Sequence, residues 1–317
     1  MPRPHRPLLF MSAVMAVLAV VATGGLLLDD RTLDGAPVWA KPLKFALSLG
    51  IYGVTWSWLL SLVSPATWAA RWSRWLGTAL AAAALGEMAV IVTQAVRGRR
   101  SHFNVSTPLD SALYSAMGTT IIVLMVANVL AAILVARERR AEPADTWAVR
   151  IGLAVSAAGM ALGYLMIRPS AAQLAAPVVT VVGAHGVGVA DGGPGLPLLG
   201  WSTTGGDLRI PHFVGMHALQ ALPLLALAVR RVADRAARLR LVAAGGLGYA
   251  GLTALVTWQA LRGQPLLRPD GPTLAAAGLL LAATAVAALP ALSALSALVP
   301  PSAPAARRAA APAEVKP

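Results

Sequence analysis

The chain of 317 residues is 57% hydrophobic and only 12% charged, carries a formal net charge of +13 and contains no cysteine. Soluble domains run at about 45–50% apolar and about 25% charged, so this balance excludes a soluble globular protein and a disordered chain. Zero cysteine also removes disulfides, thiolate metal sites and cysteine nucleophiles.

Apolar blocks long enough to cross a bilayer recur along the chain. Eight are read, at 8–28, 43–63, 75–96, 111–136, 148–167, 212–229, 241–261 and 273–298. Only helices or closed barrels satisfy the backbone in lipid, and runs this long without alternation mean helices. The expected fold is therefore all-α, a polytopic transmembrane bundle of about eight helices. The first block follows Arg3, His5 and Arg6 like a signal peptide, but Gly24 to Leu28 prolong it, which favours a retained anchor. Residues 1–299 are read as one transmembrane helical domain and 300–317, rich in Ala and Pro, as a disordered cytoplasmic tail.

Lys and Arg counts set the orientation. With the N-terminus inside, the inner connections hold sixteen basic residues and the outer ones ten. This predicts a cell-membrane protein with both termini cytoplasmic. The charge then reads as an orientation signal and not as a nucleic-acid footprint.

Two stretches echo each other. Gln94-Ala95-Val96-Arg97-Gly98 ends the third block, and Gln259-Ala260-Leu261-Arg262-Gly263 ends the seventh. Lys44-Phe45 near the start of the second block parallels His212-Phe213 near the start of the sixth. The offsets, 165 and 168 residues, suggest two parallel repeats of four helices, with the half-to-half interface as the favoured place for a site.

Distinctive polar sequence gathers at the outer ends. The first outer loop holds Asp29, Arg31 and Asp34, and the second runs from Arg97 through His102 to Asp110. A third connection, about 168–211, forms a cap of 44 residues, far beyond usual loop length. Nine glycines in residues 183–206 read as turn formers there, since no strand and helix flank them as a phosphate loop requires. The cap signature GWSTTGGDLRIPHFVGMHALQ, together with RSHFN and WAKPLKFA, resembles a group of bacterial multi-pass membrane proteins of uncharacterised activity. The resemblance implies a family likeness and no mechanism.

Four features carry the chemistry. His102, His212 and His217, with Asp110, are candidate metal ligands, although His212 and His217 lie about 140° apart on a helix and need His102 or Asp110 to fold over them. The competing role is capping of helix ends. His5 and His185 read as tail and loop residues. Glu87 is the one acid well inside a span, and an intramembrane carboxyl is a functional-site hypothesis by default. Gln94, seven residues on, shares its face and would extend a polar stripe; Asn128 or Thr55 are possible partners for a purely structural Glu87. Lys41, Lys44, Arg97, Arg209 and Arg262, with Gln259 beside them, form a ring of polar and cationic groups suited to a small anionic ligand or to lipid headgroups, unless Asp110, Asp207 and Asp29 simply neutralise them.

The leading expectation is a protein that binds or transports a small molecule or ion through an outward-facing polar vestibule leading to Glu87. The alternatives are a metal-dependent hydrolase at the outer leaflet and a non-catalytic structural or sensory module. The bilayer is the expected partner, and no cofactor is specified.

Overall fold

The computed structural model describes residues 4–65 and 68–296. The tail expected at 300–317 lies outside them. Among the described residues nine α-helices run in order: α1 (Arg6–Leu28), α2 (Ala40–Ser61), α3 (Trp68–Val96), α4 (Pro108–Arg137), α5 (Pro143–Leu162), the single turn α6 (Ala171–Leu174), α7 (Arg209–Ala228), α8 (Arg235–Leu261) and α9 (Gly271–Ser296). All but α6 are long and apolar enough to cross a membrane. The fold is an all-α bundle of eight such helices.

Local chemistry sets the helix ends. His5 caps α1 through its ring nitrogen, Thr107 caps α4 ahead of Pro108, and the Asp234 carboxylate accepts from the Ala236 and Ala237 amides at the start of α8. At the other ends of α3 and α8 the chain turns through Gly98 (φ +65°) and Gly263 (φ +73°), a conformation that glycine adopts without strain.

The first four helices pack in one order: α1 on α2, α2 on α3, α1 on α3, and α3 on α4. The order recurs in the second set: α5 on α7, α7 on α8, α5 on α8, and α8 on α9. In each set the opening pair approaches closely through glycine. A Cβ on Gly53 would fall 2.3 Å from Ser12 Oγ, and one on Gly159 would fall 2.5 Å from the Gly215 carbonyl carbon. Small residues at such contacts let backbones approach, which is how helices associate in lipid. The sets join where α4 meets α5. Gln220 of α7 also reaches Thr55 of α2 across 3.2 Å.

The apolar core centres on α3, with Leu80, Ala84, Met88 and Ile91 buried against Met11, Met15, Trp56, Leu59 and Met117. By contrast, α9 turns Leu274, Leu279, Leu281 and Leu289 outward, as a helix bathed in lipid does.

One end of the bundle is capped. A two-residue hairpin, β1 (Thr32–Leu33) with β2 (Ala36–Pro37), leads into α2. The long α5–α7 connection folds back on itself through β3 (Gly186–Val187) and β4 (Gly206–Asp207), paired antiparallel. It also pins the α3–α4 loop, because the Val182 amide donates to Phe103 O and the Val105 amide to Thr180 O.

Candidate functional site

Beneath this cap a chain of polar side chains descends into the bundle. Lys41, in the first turn of α2, places Nζ 2.9 Å from His102 Nδ1, and Ser101 Oγ lies 3.1 Å from the same nitrogen. Both neighbours carry hydrogens to donate, so Nδ1 is the acceptor and the ring proton sits on Nε2. That nitrogen faces Glu87 Oε1 at 3.4 Å without a hydrogen bond between them. The other carboxylate oxygen accepts from Thr120 Oγ1 of α4 at 3.0 Å. Among the described residues, Glu87 Oε1 is a buried oxygen with no hydrogen-bond partner.

Several elements hold this geometry. Glu87 sits about two and a half turns before the end of α3 and is only 2% exposed. His102 is carried by the α3–α4 loop, turned inward at Phe103, which adopts φ +62°. A bulky side chain in that region is strained and persists only when its surroundings hold it. Here the Phe103 ring packs against Tyr114, His102 and His185, the last at 4.9 Å. Phe45 covers the other side of the imidazole at 5.9 Å. Burial pushes His102 well below its ordinary value of 6.5, and the positive field of Lys41 adds to the effect. The ring is therefore neutral at physiological pH.

His185 belongs to this neighbourhood, contrary to its reading as a plain loop residue. Its Nδ1 lies 2.8 Å from Asp191 Oδ2, and the Asp191 carboxylate also accepts from the His185 and Gly186 amides. Burial raises Asp191, but those contacts outweigh it and hold the carboxyl below the usual range, while burial lowers His185. His5 is likewise structural, capping α1 and placing Nε2 3.0 Å from Arg74 O. The sequence signal for His185 was faint: an acid six residues on in a glycine-rich loop.

The ring of outer cations is not open. Arg97 donates to Asp110 at 2.7 Å and to Gln94, Arg209 makes a two-point bond to Asp207, and Arg262 pairs with Asp270. Each is already neutralised by a carboxylate. Gln94 is turned to Arg100 O and Asp110, so it does not extend a stripe from Glu87. Gln259 binds the loop carbonyls of Pro265 and Leu266 in the other half. Of the eight residues expected to bind a ligand, the structure places Lys41 and Glu87 at the two nitrogens of the His102 ring, and joins Gln94 and Arg97 in the separate Asp110 cluster. Lys44 stands nearby and donates to Leu199 O at 2.8 Å.

The expected metal set is separated too. Asp110 accepts from Gln94, Arg97, Ser106 and Thr107. His212 Nδ1 lies 2.8 Å from Gly159 O, and His217 Nδ1 lies 3.2 Å from Gln220 Oε1. Among the described residues no three His, Asp or Glu side chains meet in a way that could hold a metal ion. The suggested partners of Glu87 differ as well, since Asn128 accepts from Tyr52 and Thr55 faces Gln220.

No family model, no curated protein and no solved structure matches this chain. The site has to be read from its own geometry. That geometry offers a carboxylate, an imidazole and an ammonium in one line, running from under the cap towards the middle of the bundle.

The α3–α4 and α8–α9 hairpins are built alike except where this line lies. Both clamp their loops with a helix-terminal Gln and tie an Arg to an Asp at the next helix start. The pair spans 13 residues in the first hairpin and 8 in the second. The longer first loop supplies Ser101, His102 and Phe103, and Leu252 stands where Glu87 would fall in the second half. Among the described residues the second half has no counterpart of Glu87 at that position.

Proposed function

We propose that the protein binds and moves a small molecule or ion across a membrane, with Glu87, His102 and Lys41 as the centre of the site. The unpartnered Oε1 of buried Glu87 carries this reading. A carboxyl kept only for structure would have both oxygens satisfied, as buried polar groups normally do. Here one oxygen is left for an exchangeable partner. Eight apolar helices in two similarly packed sets support it, since transporters often place their sites between such halves. The Lys and Arg bias supports a reading in which the capped end faces outward. With Arg97, Arg209 and Arg262 engaged, recognition of an anion at the mouth falls to Lys41 and Lys44.

The test is flux in reconstituted vesicles carrying gradients of H+, Na+, K+, chloride, acetate or phosphate. Glu87→Gln keeps the side-chain shape and removes the titratable group. Flux of one of these solutes through the wild type, reduced at least about tenfold in Glu87→Gln, is the expected result. Equal flux in both proteins, or none above empty vesicles, would sink the reading.

A further inference from the structure

We propose that His102 relays protons between Lys41 and Glu87, so that the ion handled by this site is the proton. This rests on the reading of the site given above and names its ion.

The geometry is that of a two-ended shuttle. Lys41 Nζ is 2.9 Å from Nδ1, and Nε2 is 3.4 Å from the unpartnered Oε1 of Glu87. In one concerted step the Lys41 ammonium gives a proton to Nδ1 while the Nε2 proton passes to Oε1. The starting chain is ammonium, neutral imidazole and carboxylate. The final chain is amine, neutral imidazole of the other tautomer and carboxylic acid. Net charge is zero throughout this step. Lys41 then takes a new proton from the water side of the cap, which leaves the chain at +1; for the return, Lys41 first gives that proton back to water, and the concerted step then runs in reverse and restores the first tautomer. A separated ammonium–carboxylate pair in an apolar bundle carries the desolvation cost of two charges, which the neutral form avoids. A ring that stays neutral is what such a shuttle requires, and burial keeps His102 neutral.

The surroundings are consistent with proton handling. Glu87 on α3 is faced by Thr120 from α4, Lys41 from α2 and His102 from the loop. Lys41 in turn feels Lys44, Arg209 and Asp34, and His102 feels His185 and His212. No acidic group other than Glu87 is in reach at the inner end of the line among these neighbours, so the proton's destination is unambiguous.

The experiment is a rapid pH jump on the protein in vesicles, with infrared detection of the protonated-carboxyl C=O band. The band assigned to Glu87 is the one missing in Glu87→Gln. His102→Gln cannot shuttle, and Lys41→Arg keeps the cation but cannot release its proton. A positioned side chain contributes about 10²–10⁴-fold to a proton transfer, so both variants are expected to slow the appearance of the band at least about tenfold. The final amplitude should be reached in each, which shows that the folded site is intact. Full speed in Lys41→Arg would mean that Lys41 acts only as a charge, and full speed in His102→Gln that the proton goes elsewhere. Either overturns the relay. So does a wild type with no titrating band. Flux of Na+ or an anion that still depends on Glu87, with either of those outcomes, would leave the transport reading standing and remove only the proton.

Discussion

Asp110 and Glu87 are both buried acids, and their hydrogen bonds give them opposite roles. Asp110 accepts from Gln94, Arg97, Ser106 and Thr107, and its own amide is capped by Thr107, so it locks the α3–α4 hairpin. Asp110→Ala leaves these donors without their acceptor and should cost about 2–3 kcal/mol, read as a lower thermal midpoint in detergent. The matching Asp270→Ala, in a more exposed pair, should shift the midpoint less. The two loop histidines predict a pH effect. His102 and His185 are both depressed by burial, so the unfolded chain binds more protons than the folded one as pH falls below about 6.5. Stability should therefore drop as pH is lowered from neutral through that value, and unfolding midpoints at pH 7.5 and 5.5 measure it. A midpoint that rises on acidification would contradict neutral buried rings. Neither role was readable from residue type alone, because the donors to Asp110 and the imidazole over Glu87 arrive through a loop whose course no periodicity encodes.

At the scale of elements, helices were the most legible part of the chain. The eight apolar blocks correspond to α1–α5 and α7–α9, since length and hydropathy suffice to specify a helix where the backbone must satisfy itself. Which faces meet was less legible, because in Ala- and Leu-rich helices it depends on where glycine permits contact. Gly159 shows this. Its substitution by Leu would drive a Cβ against Gly215 and should destabilise the α5–α7 contact by about 1–3 kcal/mol, again as a midpoint shift. Gly118 of α4 has nothing within 4 Å of a built Cβ, so Gly118→Ala should be neutral or stabilise by up to about 1 kcal/mol. If both variants behaved alike, close approach would not be what Gly159 provides.

For the whole molecule, the decisive relation is between the two four-helix sets. The QAVRG and QALRG echo marks helix ends with the same clamp chemistry, and the packing order recurs around them. If transport requires the sets to move apart, bridging Gln220 to Thr55 should stop it. The chain has no native cysteine, so a Thr55→Cys, Gln220→Cys double variant can be cross-linked cleanly. Flux is expected to fall on cross-linking and to recover on reduction; flux unchanged by the bridge would show that the sets need not separate there.

The amino-acid sequence by itself determined the all-α bundle of eight apolar helices, the repeated helix ends and the presence of one deep carboxyl. These follow from local properties, namely run length, hydropathy and residue type. Only the tertiary structure decided which charges are spent and which are available. Arg97, Arg209 and Arg262 read either as ligand cations or as charges neutralised by nearby acids, and the fold decides for the acids, each 2 to 13 residues away. His102 and His185 looked peripheral to Glu87, yet the cap folds the loop inward at Phe103 and sets an imidazole above the carboxyl. Electrostatic partnership depends on distances of a few ångströms in space, and spacing along the chain carries that information only within a helix or a tight turn.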